Sequence, residues 1–123
     1  MMKMSNKDLI QRCNALDDLL TAEDKSGASE FSGVTLLKMT RNLRAMVAEY
    51  ENNYAVDYKR YSKRFYGDDG ITLLPDVKKE DAEKELAELL EFTVDVPIIT
   101  IKPDDVENVH SVSKIMTLDF MIE

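Results

Sequence analysis

The sequence predicts an α+β protein that is mostly α: a helical hairpin with one long helix, two C-terminal helices and a short two-stranded β element. Three observations predict it. Apolar residues recur at three- and four-residue spacing through most of the first 66 positions. A Gly67-Asp68-Asp69-Gly70 turn then interrupts the chain, and a β-branched run from Val94 to Ile101 follows a third helical stripe. The 123 residues make one small domain, with 1–66 as the hairpin and 67–123 as an acidic α/β part.

In chain order, Ser5 or Asn6 caps a first helix over 6–22, whose Leu9, Ile10, Cys13, Leu16, Leu19 and Leu20 form one face. The polar stretch Thr21 to Ala28 reads as the hairpin loop. Ser29 caps the second helix, over 30–66, with no proline and no glycine after Gly33. From Leu36 through Met39, Leu43 and Met46 to Tyr50 the spacing is that of a coiled-coil seam, after which Tyr54 and Tyr58 follow in four-residue steps. At 1.5 Å per residue this helix is about 54 Å long, roughly twice the first. Its C-terminal half therefore needs cover from the acidic part or from a second subunit.

Gly67 is expected at the helix C′ position in the left-handed conformation, and Ile71 to Leu74 as a short strand. Pro75-Asp76 opens a third helix with Ala82, Leu86, Leu89 and Leu90 on its apolar face. In the strand Val94 to Ile101, Pro97 lacks a ladder donor and confines pairing to one side. Pro103-Asp104-Asp105 makes a turn or short helix. Ser111 or Ser113 caps a last helix rich in apolar residues, expected to dock into the core or a partner.

Composition excludes several chemistries. One Cys and one His cannot build a disulfide or a Cys/His zinc site within one chain, and every Ser-His or Cys-His pair would depend on His110. Glycines 27, 33, 67 and 70 match no phosphate-binding loop. Asp68-Asp69-Gly70 and Asp104-Asp105 lack the alternating spacing of a calcium loop. No apolar run approaches the roughly 20 residues that span a bilayer, and no signal-peptide core begins the chain, so a soluble intracellular protein is expected. Cys13 reads as a small core residue, and the methionines at helical positions as gap-fillers. No catalytic, cofactor or metal residue is assigned, and the protein is expected not to be an enzyme.

The charge of −8 is unevenly placed: residues 1–66 hold 11 cations and 9 acids, net +2, and residues 67–123 hold 5 and 15, net −10. Within 58–66, Lys59, Arg60, Lys63 and Arg64 alternate with Tyr58, Tyr61, Phe65 and Tyr66. Such a segment can hold nucleic acid, but the aromatic spacing favours a core-packed stripe flanked by cations, and direct nucleic-acid binding ranks below protein binding.

The order of features resembles a family of small, largely uncharacterised proteins of tailed phages and prophages of Gram-positive bacteria. The matching residues are Asn6-Lys7-Asp8-Leu9-Ile10 with Leu16, Leu19 and Leu20, then Glu49-Tyr50, Glu85-Leu86, Glu88-Leu89-Leu90, Val94 to Ile101, Asp104-Asp105-Val106, and Leu118-Asp119-Phe120-Met121-Ile122-Glu123. The loop 21–28 and the basic stretch 59–64 lie outside the shared pattern. The resemblance implies a phage origin, a compact helical protein and no assigned chemistry.

Two functions follow as expectations. The first is an accessory protein that binds another protein in virion or tail assembly, through Tyr58, Tyr61 and Phe65 on the long helix and Phe120 and Met121 at the C-terminus. The second is an inhibitor of a host defence nuclease, of the anti-CRISPR or anti-restriction type, whose Glu80, Glu83 and Glu88 block a nucleic-acid channel. Either places the protein in the host cytoplasm or on the virion, with no cofactor and no membrane, and homo-oligomerisation accompanies the first.

Overall fold

A computed structural model describes residues 1–123, and the molecule is mostly helical with one two-stranded antiparallel sheet. Helix α1 spans Asn6–Ser26, with the Ser5 hydroxyl accepting the Asp8 amide at 3.1 Å and Gly27 left-handed at its end. It runs four residues past the expected end. Glu23 is buried there and receives the Lys114 ammonium at 2.6 Å, which holds a polar turn in helical form. The hairpin loop is correspondingly short.

Ser32, not Ser29, caps α2 (Gly33–Glu49), accepting the Thr35 amide. The Ser29 hydroxyl instead accepts from the Phe31 amide in the loop, and the Phe31 ring is buried. The helix continues through a π turn at Tyr50–Tyr54 into α3 (Ala55–Phe65), and the Ala55 amide reaches back five residues to the Tyr50 carbonyl. The reason lies in the side-chain spacing. Each four-residue step rotates a stripe by roughly 40° on an α-helix, so the steps from Met46 through Tyr50 and Tyr54 to Tyr58 drift by about 120°. One wide turn returns about 100° of that. Met39, Met46, Tyr54 and Tyr61 are accordingly all buried on one line, with the π turn inside the long interval.

Two expectations for the connection after α3 are corrected. Gly67 is not left-handed; Tyr66 leaves the helix in extended form, and Gly70 takes the positive φ of 69°. Ile71 to Leu74 is not a strand, because Asp69 Oδ1 accepts both the Ile71 and Thr72 amides at 2.9 Å and curls the segment into a turn. Only Leu73 bridges back, to Tyr66. Helix α4 then begins at Lys79, not Pro75, and ends at Glu91.

Strand β2 covers only Thr93–Val96 and stops at Pro97, which lacks an amide to donate. Its partner is the N-terminal strand β1 (Met2–Ser5), with Met2 opposite Val96 and Ser5 opposite Thr93. Beyond the proline, backbone groups are satisfied otherwise. Asn42, fully buried on α2, clamps both backbone groups of Ile99, and Ile101 bridges in parallel to Ile122. A 3-10 turn at Pro103–Val106 leads to α5 (Val112–Leu118), capped by Ser111, and a second 3-10 turn at Asp119–Met121. One core unites the two halves, from Met4 through Leu9, Leu16, Met39 and Met46 to Val96, Ile101, Leu118 and Met121.

Candidate functional site

Outside this core, α3 and α4 form an antiparallel pair: Arg64 bonds to Glu85, while Asp57 near the start of α3 shares a cleft with Phe92 just past the end of α4. Asp57, Arg60, Tyr61 and Arg64 on α3 stand at helical spacing on one face, and Glu85, Glu88, Leu89 and Phe92 do the same across from them. Between them lies an open groove of about 710 Å³. Its floor is apolar, from Tyr61 and Leu89, and one end carries the Phe92 ring, 64% exposed. Arg60, Lys63 and Arg64 edge one side, Glu85 and Glu88 the other.

An aromatic ladder backs the floor. Tyr50, Tyr54, Tyr58, Tyr61 and Phe65 form a ladder with successive ring centroids 5.4 to 6.0 Å apart, and Tyr66 closes edge-on to Tyr61 at 6.1 Å. Burial, then a hydrogen bond with Tyr66, pushes the Tyr61 phenol well above its ordinary range. The Arg64 guanidinium also lies 5.7 Å from the centre of the Phe65 ring.

The predicted binding residues separate into three groups. Tyr58, 42% exposed, sits on the ladder; Phe65 is half-buried beside a second cleft with Asp81 and Glu88; and Glu88 borders both clefts. Glu80 and Glu83 are exposed elsewhere on α4, with Glu83 facing Lys79 at 3.9 Å. Tyr61 and Met121 are not surface groups, and Phe120 is only partly one. Tyr61 is buried as groove floor; Met121 is fully buried against Asn42; and Phe120 is half-buried beneath Arg12, 4.9 Å from its ring. The C-terminus thus docks into the protein's own core. It leaves Val112 and Met116 of α5 outside, each 72% exposed.

Sequence reasoning missed Phe92, Leu89 and Asp57 as site residues. The signal was present for Phe92, a large apolar residue off the leucine face of α4 and outside the β-branched run. The cations of the basic stretch, Lys59, Arg60, Lys63 and Arg64, are all exposed.

The remaining candidates have structural duties. The Asp69 carboxylate is held down to about 2 by hydrogen bonds from the Thr72 hydroxyl and the Thr72 and Ile71 amides, and Asp105 accepts the Lys102 amide. Cys13 is half-buried, and burial, then the charges of Asp17 and Glu51, push its thiol up, away from the reactive thiolate. No group of three or more His, Cys, Asp and Glu is placed to hold a metal ion. No helix is long and apolar enough to cross a membrane.

No family model, curated protein or solved structure matches the chain.

Proposed function

We propose that this protein acts by binding protein, as a phage or prophage accessory factor in virion or tail assembly, and that the α3–α4 face is its recognition surface. The observation that carries this reading is the exposed Phe92 ring at the end of an apolar-floored groove with charged edges. An aromatic anchor inside a polar rim is the arrangement that concentrates binding energy at protein interfaces. A site in the host cytoplasm or on the virion belongs to the same proposal.

The test is capture by the tagged protein from infected and uninfected host lysates, with the wild type compared with Phe92→Ser and Tyr58→Ala. A phage structural protein retained in high salt and lost with both variants supports the reading. Retention unaffected by either variant sinks it.

A second reading is favoured by the exposure of Glu80, Glu83 and Glu88 on α4, where Glu83 also meets Lys79 and Glu85 is taken by Arg64. Such a row can occupy a cationic nucleic-acid channel, as an inhibitor of a host defence nuclease would. Capture of a nuclease that salt elutes, abolished when the three become Gln, would replace the first reading with this one.

A further inference from the structure

The long helix has a second face, turned away from the core. Val34, Leu37, Arg41, Arg44, Ala48, Asn52, Val56, Lys59 and Lys63 follow one another in steps of three or four residues from α2 through the π turn into α3, and every one is exposed. The π turn that holds Met46, Tyr54 and Tyr61 on one buried line keeps this outer line straight as well, over about 44 Å at 1.5 Å per residue. It carries four cations and no acid in a protein of net charge −8. The ion pairs of the protein are Arg64–Glu85, Lys79–Glu83 and Lys114–Glu23, so Arg41, Arg44, Lys59 and Lys63 are all unpaired. Val34, Leu37 and Val56 are large apolar side chains that the fold leaves in water. Lys63 also edges the α3–α4 groove, and the rest of the line lies outside it.

We propose that this outer face takes an acidic amphipathic helix of another protein, laid along α2 and α3 with its apolar stripe on Val34, Leu37, Ala48 and Val56 and its carboxylates on the four cations. Charge selects the sign of the partner, because the line holds cations alone. Spacing selects a helix: from Val34 through Leu37, Arg41 and Arg44 to Ala48 the steps run 3-4-3-4, the seam that a neighbouring helix fills with its own side chains. A nucleic-acid backbone fits less well. Duplex DNA presents a charge about every 1.7 Å, whereas about 22 Å of helix separate Arg44 from Lys59. Ala48, Asn52 and Val56 fill that interval, and Glu51 and Asp57 are exposed beside it. An acidic helix can leave the interval uncharged and cover it with apolar side chains. This face is distinct from the groove that Phe92 anchors, and its occupant does not depend on what the groove holds.

Binding to the full chain is measured by fluorescence anisotropy with a labelled peptide of about 28 residues, four heptads with Leu at a and d and Glu at e and g, and with the same peptide carrying Lys at e and g. The wild type is expected to bind the Glu peptide and not the Lys peptide, and more weakly as salt is raised. Arg41→Glu combined with Arg44→Glu raises the dissociation constant at least about tenfold, and Leu37→Ser raises it too. All three positions are exposed, so the helical circular dichroism stays at its wild-type value. Phe92→Ser leaves the affinity unchanged.

Failure of the Glu peptide to bind, equal binding of the two peptides, or binding indifferent to the Arg41, Arg44 and Leu37 substitutions overturns the proposal. So does a loss caused by Phe92→Ser alone, which would seat the peptide in the α3–α4 groove and leave the recognition reading of that groove in place. Tighter binding through the same arginines to a DNA duplex, or to vesicles of phosphatidylglycerol and phosphatidylcholine, overturns it in favour of a nucleic acid or a lipid surface.

Discussion

The Asn42 side chain accepts the Ile99 amide at 2.7 Å and donates to the Ile99 carbonyl at 2.9 Å, pairing with the backbone as a neighbouring strand would. It does so from within the apolar seam of α2, and its amide also reaches the Met121 sulfur at 3.4 Å. One side chain therefore ties the long helix to the chain after Pro97 and to the C-terminus. Asn42→Ala leaves these groups unpaired near a packed core and is expected to cost about 2 kcal/mol in urea unfolding. Asn42→Asp loses the two donor contacts and buries a charge, so it should be worse than Ala; a milder effect would show that the clamp is not the source of the stability.

The π turn gives a prediction about chain length. Asn52 and Asn53 are exposed within it, so deletion of Asn52 removes the extra residue and converts the turn to regular α-helix. Met46, Tyr54 and Tyr61 stay in phase, and the melting temperature should change little. Deletion of Arg44, also exposed but outside the turn, instead rotates one end of the helix by about 100° and forces buried positions into water. Each large apolar residue so exposed costs about 1.5–3 kcal/mol. Thermal unfolding and the near-ultraviolet signal of the tyrosines separate the two; equal damage from both deletions would refute the phasing argument.

Much of this was legible because it is local. The Ser5 cap, the leucine stripe of α1, the length of the second helix and the turn at Pro103 follow from spacing and capping chemistry over a few residues. The mixed helix and strand class followed as well. What was not legible depends on partners far away in sequence. Strand β1 is four residues of unremarkable alternation, and it becomes a strand only against residues 93–96. The polar Asn42 stands out in an apolar seam, yet its meaning comes from Ile99. Tyr58 and Tyr61 belong to one aromatic stripe, and only the approach of α4 decides that Tyr61 is floor and Tyr58 is surface. At Ile71 to Leu74 the apolar composition favoured a strand, but the Asp69 carboxylate captured the amides first.

The Glu23–Lys114 pair predicts an acid-sensitive joint between α1 and α5. The Lys114 ammonium, then Ser29, hydrogen-bond the Glu23 carboxylate and hold it below its ordinary value. A carboxylate depressed in the folded state contributes stability that is present above the unfolded pKa and disappears as pH falls through the folded one. Thermal unfolding followed downward from neutral pH should therefore show a loss beginning near pH 4.5, the ordinary value, and continuing below it. Glu23→Gln flattens that loss while lowering stability at neutral pH. An unchanged acid profile would mean that other carboxylates govern it.

Phe92 and Tyr61 lie in the same groove and should respond oppositely to truncation. Tyr61 is 3% exposed and anchors the aromatic ladder, so Tyr61→Ser leaves a cavity under α4 and costs about 3 kcal/mol or more. Phe92 is 64% exposed, and Phe92→Ser removes a ring that folding hardly buries, with an effect on stability within about 0.5 kcal/mol. A ring left in water by the fold and covered by a partner spends its burial energy in association, so the same substitution should weaken binding at least about tenfold. Urea unfolding and capture from host lysate with both variants measure the two quantities side by side. Comparable destabilisation by both substitutions would place Phe92 in the core of the monomer and remove the anchor of the proposed interface.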